Sequence, residues 1–197
     1  MNPSIQKALE DKLVISIAAG IKLPNYERWL PNSKVIRAMP NTPCQIRQGM
    51  VVFSTSPSLC PTIRSLTLRL FSALGRCRFV ADRHMDAVTA LSGSGPAFAC
   101  VIMEALADGG VMMGLPREVA VELAAQSLQG AARMVLETGM HPAEIKDTVT
   151  TPAGCTIAGI LTMEDGKIRS VLARTIEEAT KVASSLGREA TTPSARV

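Results

Sequence analysis

The stretch RCRFVADRHMDAVTALSGSGPA, Arg76–Ala97, is where the character of the chain changes. Its first part, Arg76 to Val80, predicts a short strand. From about Asp82 the pattern turns helical. One helix is expected from Met85 to Ser92 and another from Phe98 to Met113, with Gly114 as its stop. Upstream, strands are predicted at Val14–Ala18, ending at Gly20, at Lys34–Met39, stopped by Pro40, and at Met50–Ser54. Between Met50–Ser54 and Arg76–Val80, Pro61 to Leu74 carries Ile63, Leu66, Leu70 and Leu74 at helical spacing, and Gly75 closes it. This is α/β material, the tail of a wound sheet. Downstream only helices are expected. The helix after Pro116 carries Ala120, Ala124, Leu128 and Ala132 on one stripe and ends at Thr138-Gly139. A short helix follows from Pro142 to about Asp147, another starts near Thr156, and a last one runs from Ile168 to Leu186. The fold class is therefore α/β followed by all-α, with an α/β part over 1–82, a helical part over 83–187 and a frayed tail over 188–197.

The chain has 197 residues, 47% of them apolar and only 3% aromatic. That is enough to bury a core in one large domain or two small ones, and it favours closely packed helices over a β-sandwich. The net charge of +4 is spread without a basic cluster, and Tyr26 and Trp29 are the flat polar aromatics. Nucleic acid is not an expected partner, since there is neither a basic stripe nor a stacking platform. Cys44, Cys60, Cys77, Cys100 and Cys155 are odd in number and show no CxxC spacing. Free thiols in a reducing compartment are expected, hence a cytoplasmic protein, with Cys100 in the core. His84 and His141 stand far apart, so no metal site is expected. No signal peptide and no membrane-spanning segment of sufficient length is expected.

Three segments carry chemical potential. Leu91-Ser92-Gly93-Ser94-Gly95-Pro96-Ala97 lets the backbone pass close to a ligand, or is a plain tight corner. It misses the GxGxxG fingerprint, because Phe98 stands at the third glycine position and a helix precedes it. Gly109-Gly110 inside a helical pattern costs about 1 kcal/mol per residue against Ala, which tight helix contact would offset. Thr148-Val149-Thr150-Thr151-Pro152-Ala153-Gly154-Cys155-Thr156 sets hydroxyls around a proline and a glycine just before a helix. Thr151 as N-cap with Pro152 at the first helical position is one reading. The other is a helix start whose N–H groups and threonine hydroxyls grip a carboxylate.

The ordered set LSGSGPA, EALADGGVMMGLPR, HPAEIKD and TTPAGCTIAGI resembles the pyrroline-5-carboxylate reductases. Ile17-Ala18-Ala19-Gly20 and Arg37-Ala38-Met39-Pro40-Asn41-Thr42-Pro43 resemble two upstream segments of that family, so the likeness runs from about Val14 to about Leu186. It implies the C-terminal part of a Rossmann-type domain followed by a helical dimerisation domain. It implies reduction of L-1-pyrroline-5-carboxylate to L-proline by NADPH or NADH, in homodimers with swapped helices that assemble into rings. Ala18, Ala19 and Asn41 would lie along the nicotinamide, with Ser94, Gly95 and Pro96 as the opposite wall. Thr151, Gly154, Cys155 and Thr156 would hold the substrate carboxylate, with the Thr156 hydroxyl near the ring nitrogen as the catalytic contact. Thr148 would meet both cofactor and substrate, and Asp82 matches an acidic position near the substrate.

The sequence departs from the family in three ways. Thr148 stands where many relatives have Asn, and Cys155 where Ala or Gly is common. No pair of glycines before Gly93 is spaced GxG, so the glycine-rich turn that grips the pyrophosphate is missing and the first βα units are expected to be absent. The alternative to a reductase is therefore a non-catalytic, oligomerising fragment of one. Lys146, Lys167 and Lys181 are the only lysines of the helical part. That weakens a rival β-hydroxyacid dehydrogenase reading, which would need a buried lysine. The chemistry needs no metal: the nicotinamide does the difficult step while the protein supplies position and polarity.

Overall fold

The computed structural model describes residues 2–56 and 59–189. They fall into two compact units: one takes the chain up to Pro96 and again from Arg174 onward, the other takes Ala97–Ala173. The expected tail over 188–197 lies outside the described residues, apart from the backbone of 188 and 189.

The first unit is built on a sheet. Its elements in chain order are α1 (Pro3–Leu9), β1 (Leu13–Ser16), α2 (Leu23–Trp29), β2 (Lys34–Met39), β3 (Gly49–Thr55), α3 (Pro61–Phe71), β4 (Gly75–Phe79) and α4 (Met85–Val88). The four strands lie in the order β1-β2-β3-β4. β1 runs parallel to β2, and β3 parallel to β4, because α2 and α3 supply the crossovers that parallel neighbours need. β2 and β3 are antiparallel, joined through a short 3₁₀ turn at Thr42–Ile46. The sheet is mixed, and its two faces are covered by different helices. Val35 points to α2 and packs with Leu23, Tyr26 and Leu30. Ile36, Ala38, Val51 and Phe53 point the other way, where Ile63 and Phe71 of α3 meet them. The Phe53 ring lies 5.2 Å from those of Phe71 and Phe79. Neither α1 nor α2 follows from the apolar spacing of its short segment. Both take their start from a proline near the first helical position, Pro3 and Pro24.

The helices of the second part are α5 (Gly95–Met112), α6 (Arg117–Thr138), α7 (Pro142–Val149), α8 (Cys155–Asp165) and α9 (Ile168–Glu189). Gly139, with φ 71, ends α6 in a left-handed cap. α7 is opened by a capping box in which His141 and Glu144 serve each other's backbone N–H groups. The small-residue stripe works in part. Ala120 and Ala124 are buried against Ala107 and Val111 of α5. Gly110 lets the helices come close there: a Cβ on it would sit 3.1 Å from the Ala120 methyl, a tight contact. Gly109 faces open space.

Three expectations are corrected. The corner at Leu91–Ala97 is not a break. Thr89–Gly93 forms a π-turn, with the Ser94 N–H bonded to the Thr89 carbonyl, and α5 begins at Gly95. The helical run Asp82–Met112 is for that reason continuous, and it is long and apolar enough by length and composition to cross a membrane, against expectation. Only 11% of that apolar window is buried. Cys100 is exposed rather than buried. The cause is the same: of all α5 only Ala107 is fully covered within the chain.

Candidate active site

The family-matched residues form two sets, one in each unit. The first set stands at the carboxyl ends of β1 and β2. Ser16 is level with Arg37 in the parallel register, so both strands leave the sheet at one edge. Ala18 and Ala19 follow β1 and are exposed; Asn41 follows β2 and is half-buried. Asn41 Oδ1 accepts the Met50 N–H at 2.9 Å, which fixes the amide plane. The π-turn reaches the same edge, since a Cβ on Gly93 would lie 2.6 Å from Met39 Cε. Ser94, which ends the π-turn, and Gly95 and Pro96, which begin α5, thus lie beside the end of β2. Small side chains at the carboxyl edge of parallel strands are where nucleotide cofactors bind in wound sheets. The set fits the nicotinamide end of a dinucleotide. No GxGxxG turn for a pyrophosphate occurs in the 197 residues.

The second set is the loop between α7 and α8. Thr151 is not an N-cap: α8 starts at Cys155, and Gly154 is its cap, with no side chain bonding the first N–H groups. Thr151-Pro152-Ala153 is instead a turn, closed by the Gly154 N–H on the Thr151 carbonyl at 3.1 Å. Thr151 Oγ1 stands 2.5 Å from where a Gly154 Cβ would be. A side chain at 154 would therefore clash with the folded-over threonine. Ala153 holds φ 58, a left-handed value uncommon for a residue with a Cβ, and such strain gathers at functional loops. Thr148 and Thr150 donate their hydroxyls back to the Ile145 and Lys146 carbonyls. Cys155 is exposed and Thr156 half-buried in the first turn of α8. Uncapped N–H groups at a helix start, in a loop that carries threonine hydroxyls, can donate hydrogen bonds to a carboxylate.

Asp82 belongs to a different arrangement, one that sequence reasoning missed. Arg37, 2% exposed, donates to Asp82 Oδ1 at 3.1 Å and to Asp86 Oδ1 at 3.4 Å. Asp82 Oδ2 accepts the Leu23 N–H, and Asp86 Oδ2 accepts the Ser184 hydroxyl. Both Asp82 oxygens are thus engaged in tying β2 to α2, and Asp86 ties β2 to α9. The signal was an arginine in the middle of the apolar strand Lys34–Met39, since a buried charge needs partners. Two thiols titrate abnormally, both outside these loops. Hydrogen bonds from the Thr62 hydroxyl and N–H hold the Cys60 thiol below its ordinary range. Burial pushes Cys77 up. Among the described residues no group of acidic, cysteine or histidine side chains could hold a metal ion.

A family model described as pyrroline-5-carboxylate reductase dimerisation matches residues 82–186. The chain belongs to the pyrroline-5-carboxylate reductase family. It is 48% identical over 188 residues to the pyrroline-5-carboxylate reductase of Schizosaccharomyces pombe, covering 95% of this chain and 66% of that protein. With the Neurospora crassa reductase it shares 46% identity, covering 91% of this chain and 57% of the relative. Among solved structures, the pyrroline-5-carboxylate reductase of Coxiella burnetii superposes with a TM-score of 0.88 at 34% identity, over 93% of this chain and 69% of that one. The Plasmodium falciparum pyrroline carboxylate reductase, solved with NADP bound, superposes with a TM-score of 0.85 at 29% identity, over 93% and 75%. The chain thus spans somewhat less than two thirds of the length of these two curated reductases.

Proposed function

We propose that this chain reduces L-1-pyrroline-5-carboxylate to L-proline with NADPH or NADH, acting as a homodimer that assembles into rings in the cytoplasm. The observation that carries the reading is the head of α8: a glycine cap without a side-chain bond, a strained Ala153, and Thr156 in the first turn. Its likeness to reductases at 43–48% identity supports the substrate. The substrate is a cyclic imine with one carboxylate. The N–H groups of residues 155–157 donate to the carboxylate, with the helix dipole in their favour. The Thr156 hydroxyl hydrogen-bonds the ring nitrogen and orients it for protonation. Thr151, folded over Gly154, keeps the loop narrow. A reduced nicotinamide supplies hydride when bound. Ala18 and Ala19 leave room for its ring, Asn41 offers its amide, and Ser94, Gly95 and Pro96 form a wall without bulky side chains. NADPH is the first cofactor to test, since the P. falciparum relative was solved with NADP.

The open apolar run Asp82–Met112 begins where the dimerisation match begins. That coincidence favours a second copy of the chain, rather than lipid, as its cover. A second reading, an oligomerising subunit without catalysis, is favoured by one observation, the absence of a GxGxxG turn from these residues. Oxidation of NADPH, followed with and without pyrroline-5-carboxylate, separates the two. For these 197 residues by themselves, substrate-dependent oxidation is expected with weak cofactor affinity, because they hold no glycine turn for the pyrophosphate. A dimer that oxidises no NADPH at millimolar cofactor and saturating substrate would establish the second reading instead.

A further inference from the structure

Gly20 and Gly187 meet backbone to backbone. A Cβ on Gly187 would stand 2.1 Å from the Gly20 carbonyl oxygen. A Cβ on Gly20 would stand 2.9 Å from the Gly187 nitrogen and 3.1 Å from Leu186 Cβ. Gly20 also holds φ +79, where a side chain is strained whatever the space. No side chain fits at Gly187 unless the end of α9 parts from the turn after β1. That turn carries Ala18 and Ala19. Its other end is held separately, because the Ala18 N–H donates to Ser16 Oγ at 3.3 Å and Ser16 is bonded to the Tyr26 hydroxyl.

The seat of α9 is fixed by a second contact on the same helix face. Ser184 donates to Asp86 at 3.0 Å, and Asp86 is paired with the buried Arg37 of β2. Ser184 and Gly187 are three residues apart, and the buried Ala183 and Gly187 four, so the three lie on one side of α9. Thus β2 anchors α9 at Ser184, and one turn later α9 presses on the Gly20 carbonyl.

The geometry points to Gly187 as a positioning residue: the end of α9, seated on Gly20, holds the Ala18-Ala19 turn in the shape that meets the nicotinamide. The inference rests on the proposed function in one respect, the assignment of Ala18 and Ala19 to the cofactor. Gly187 touches neither cofactor nor substrate in this role and acts through Gly20.

The test uses the whole chain, amide hydrogen exchange, and reduced nicotinamide mononucleotide as the probe, since that molecule carries only the half of the cofactor this edge would meet. In Gly187→Ala, exchange at the amides of residues 18–21 should quicken by about 10-fold while the amides of β3 keep their rate. The dissociation constant for the probe should rise by about the same factor. Ser184→Ala, which releases the same seat from its other contact, should give the same pattern at smaller size, and it carries the test if Gly187→Ala does not fold. Lys181→Ala, an exposed residue paired with Glu177 elsewhere on α9, should change neither quantity. Unchanged exchange at 18–21, or a uniform rise across the sheet in both seat variants, would overturn the clamp. Local quickening together with no binding of the probe to the unaltered chain would overturn the positioning role from the other side. In that case the cofactor assignment has failed while the clamp stands, so the two failures are told apart by which readout is flat.

Discussion

At the scale of single residues, Thr156 carries most of the proposed chemistry. A hydrogen bond to a charged group contributes roughly 1.5–3 kcal/mol, so Thr156→Ala should lower kcat/KM for pyrroline-5-carboxylate by about 10- to 100-fold. Thr156→Ser keeps the hydroxyl and should keep most of the activity. A steady-state assay checks both, and near-normal kcat/KM in the alanine variant would reduce Thr156 to a helix-start residue. The residues of this loop were legible as types, hydroxyls around a glycine before a helix, but their roles were not. Thr151 looked like the cap because Pro152 follows it. What decides otherwise is the left-handed Ala153, which turns the chain once more before α8 and passes the cap to Gly154. A strained alanine leaves no mark in composition or periodicity. Asp82 was legible as an acidic position; that Arg37 and the start of α2 occupy its oxygens depends on contacts 45 and 59 residues apart in the chain.

At the scale of elements, the Arg37 network is the joint between sheet and helices. Removing one partner of a buried ion pair leaves the others desolvated and unpaired. Arg37→Met should therefore cost about 3 kcal/mol, near the lower end for such a loss because Asp82 and Asp86 keep some access to water. The midpoint of urea unfolding measures it, and adding Asp86→Asn to Arg37→Met should recover part of the loss. No change in midpoint would show that the network contributes nothing to stability. The strands were well marked: the expected Lys34–Met39 is β2, and the other three differ by one or two residues at their ends. Apolar runs bounded by glycine and proline announce themselves locally. The π-turn at Thr89–Gly93 did not, because two glycines and a proline within five residues read as a break. The preceding helix instead absorbs Gly93 through an i→i+5 hydrogen bond, and α5 follows from Gly95 with Pro96 as its second residue.

At the scale of the whole molecule, the helical part exposes more apolar surface than a monomer of its own would be expected to leave in water. Met112 and Met113 are 80% and 79% exposed, and Leu106, Val101 and Leu123 are each about half-exposed or more. Large exposed apolar surface marks an interaction site, and the dimerisation match covers all of these residues. Sedimentation at micromolar concentration should show a dimer; a stable monomer would contradict the assembly. The sequence left the small-residue stripe open between a core within one chain and one between two chains. The structure divides it, with Ala120 and Ala124 buried against α5 and Ala132 left open.

Whether the head of α8 takes the carboxylate of a five-membered ring can be tested with no cofactor present. Amide hydrogen exchange at residues 155–157 should slow when millimolar L-proline is added, and the effect should weaken in Thr156→Ala. L-prolinamide, which keeps the ring and lacks the carboxylate, should leave those amides unchanged. Equal protection by both compounds, or none by L-proline, would show that the head of α8 is not the carboxylate site.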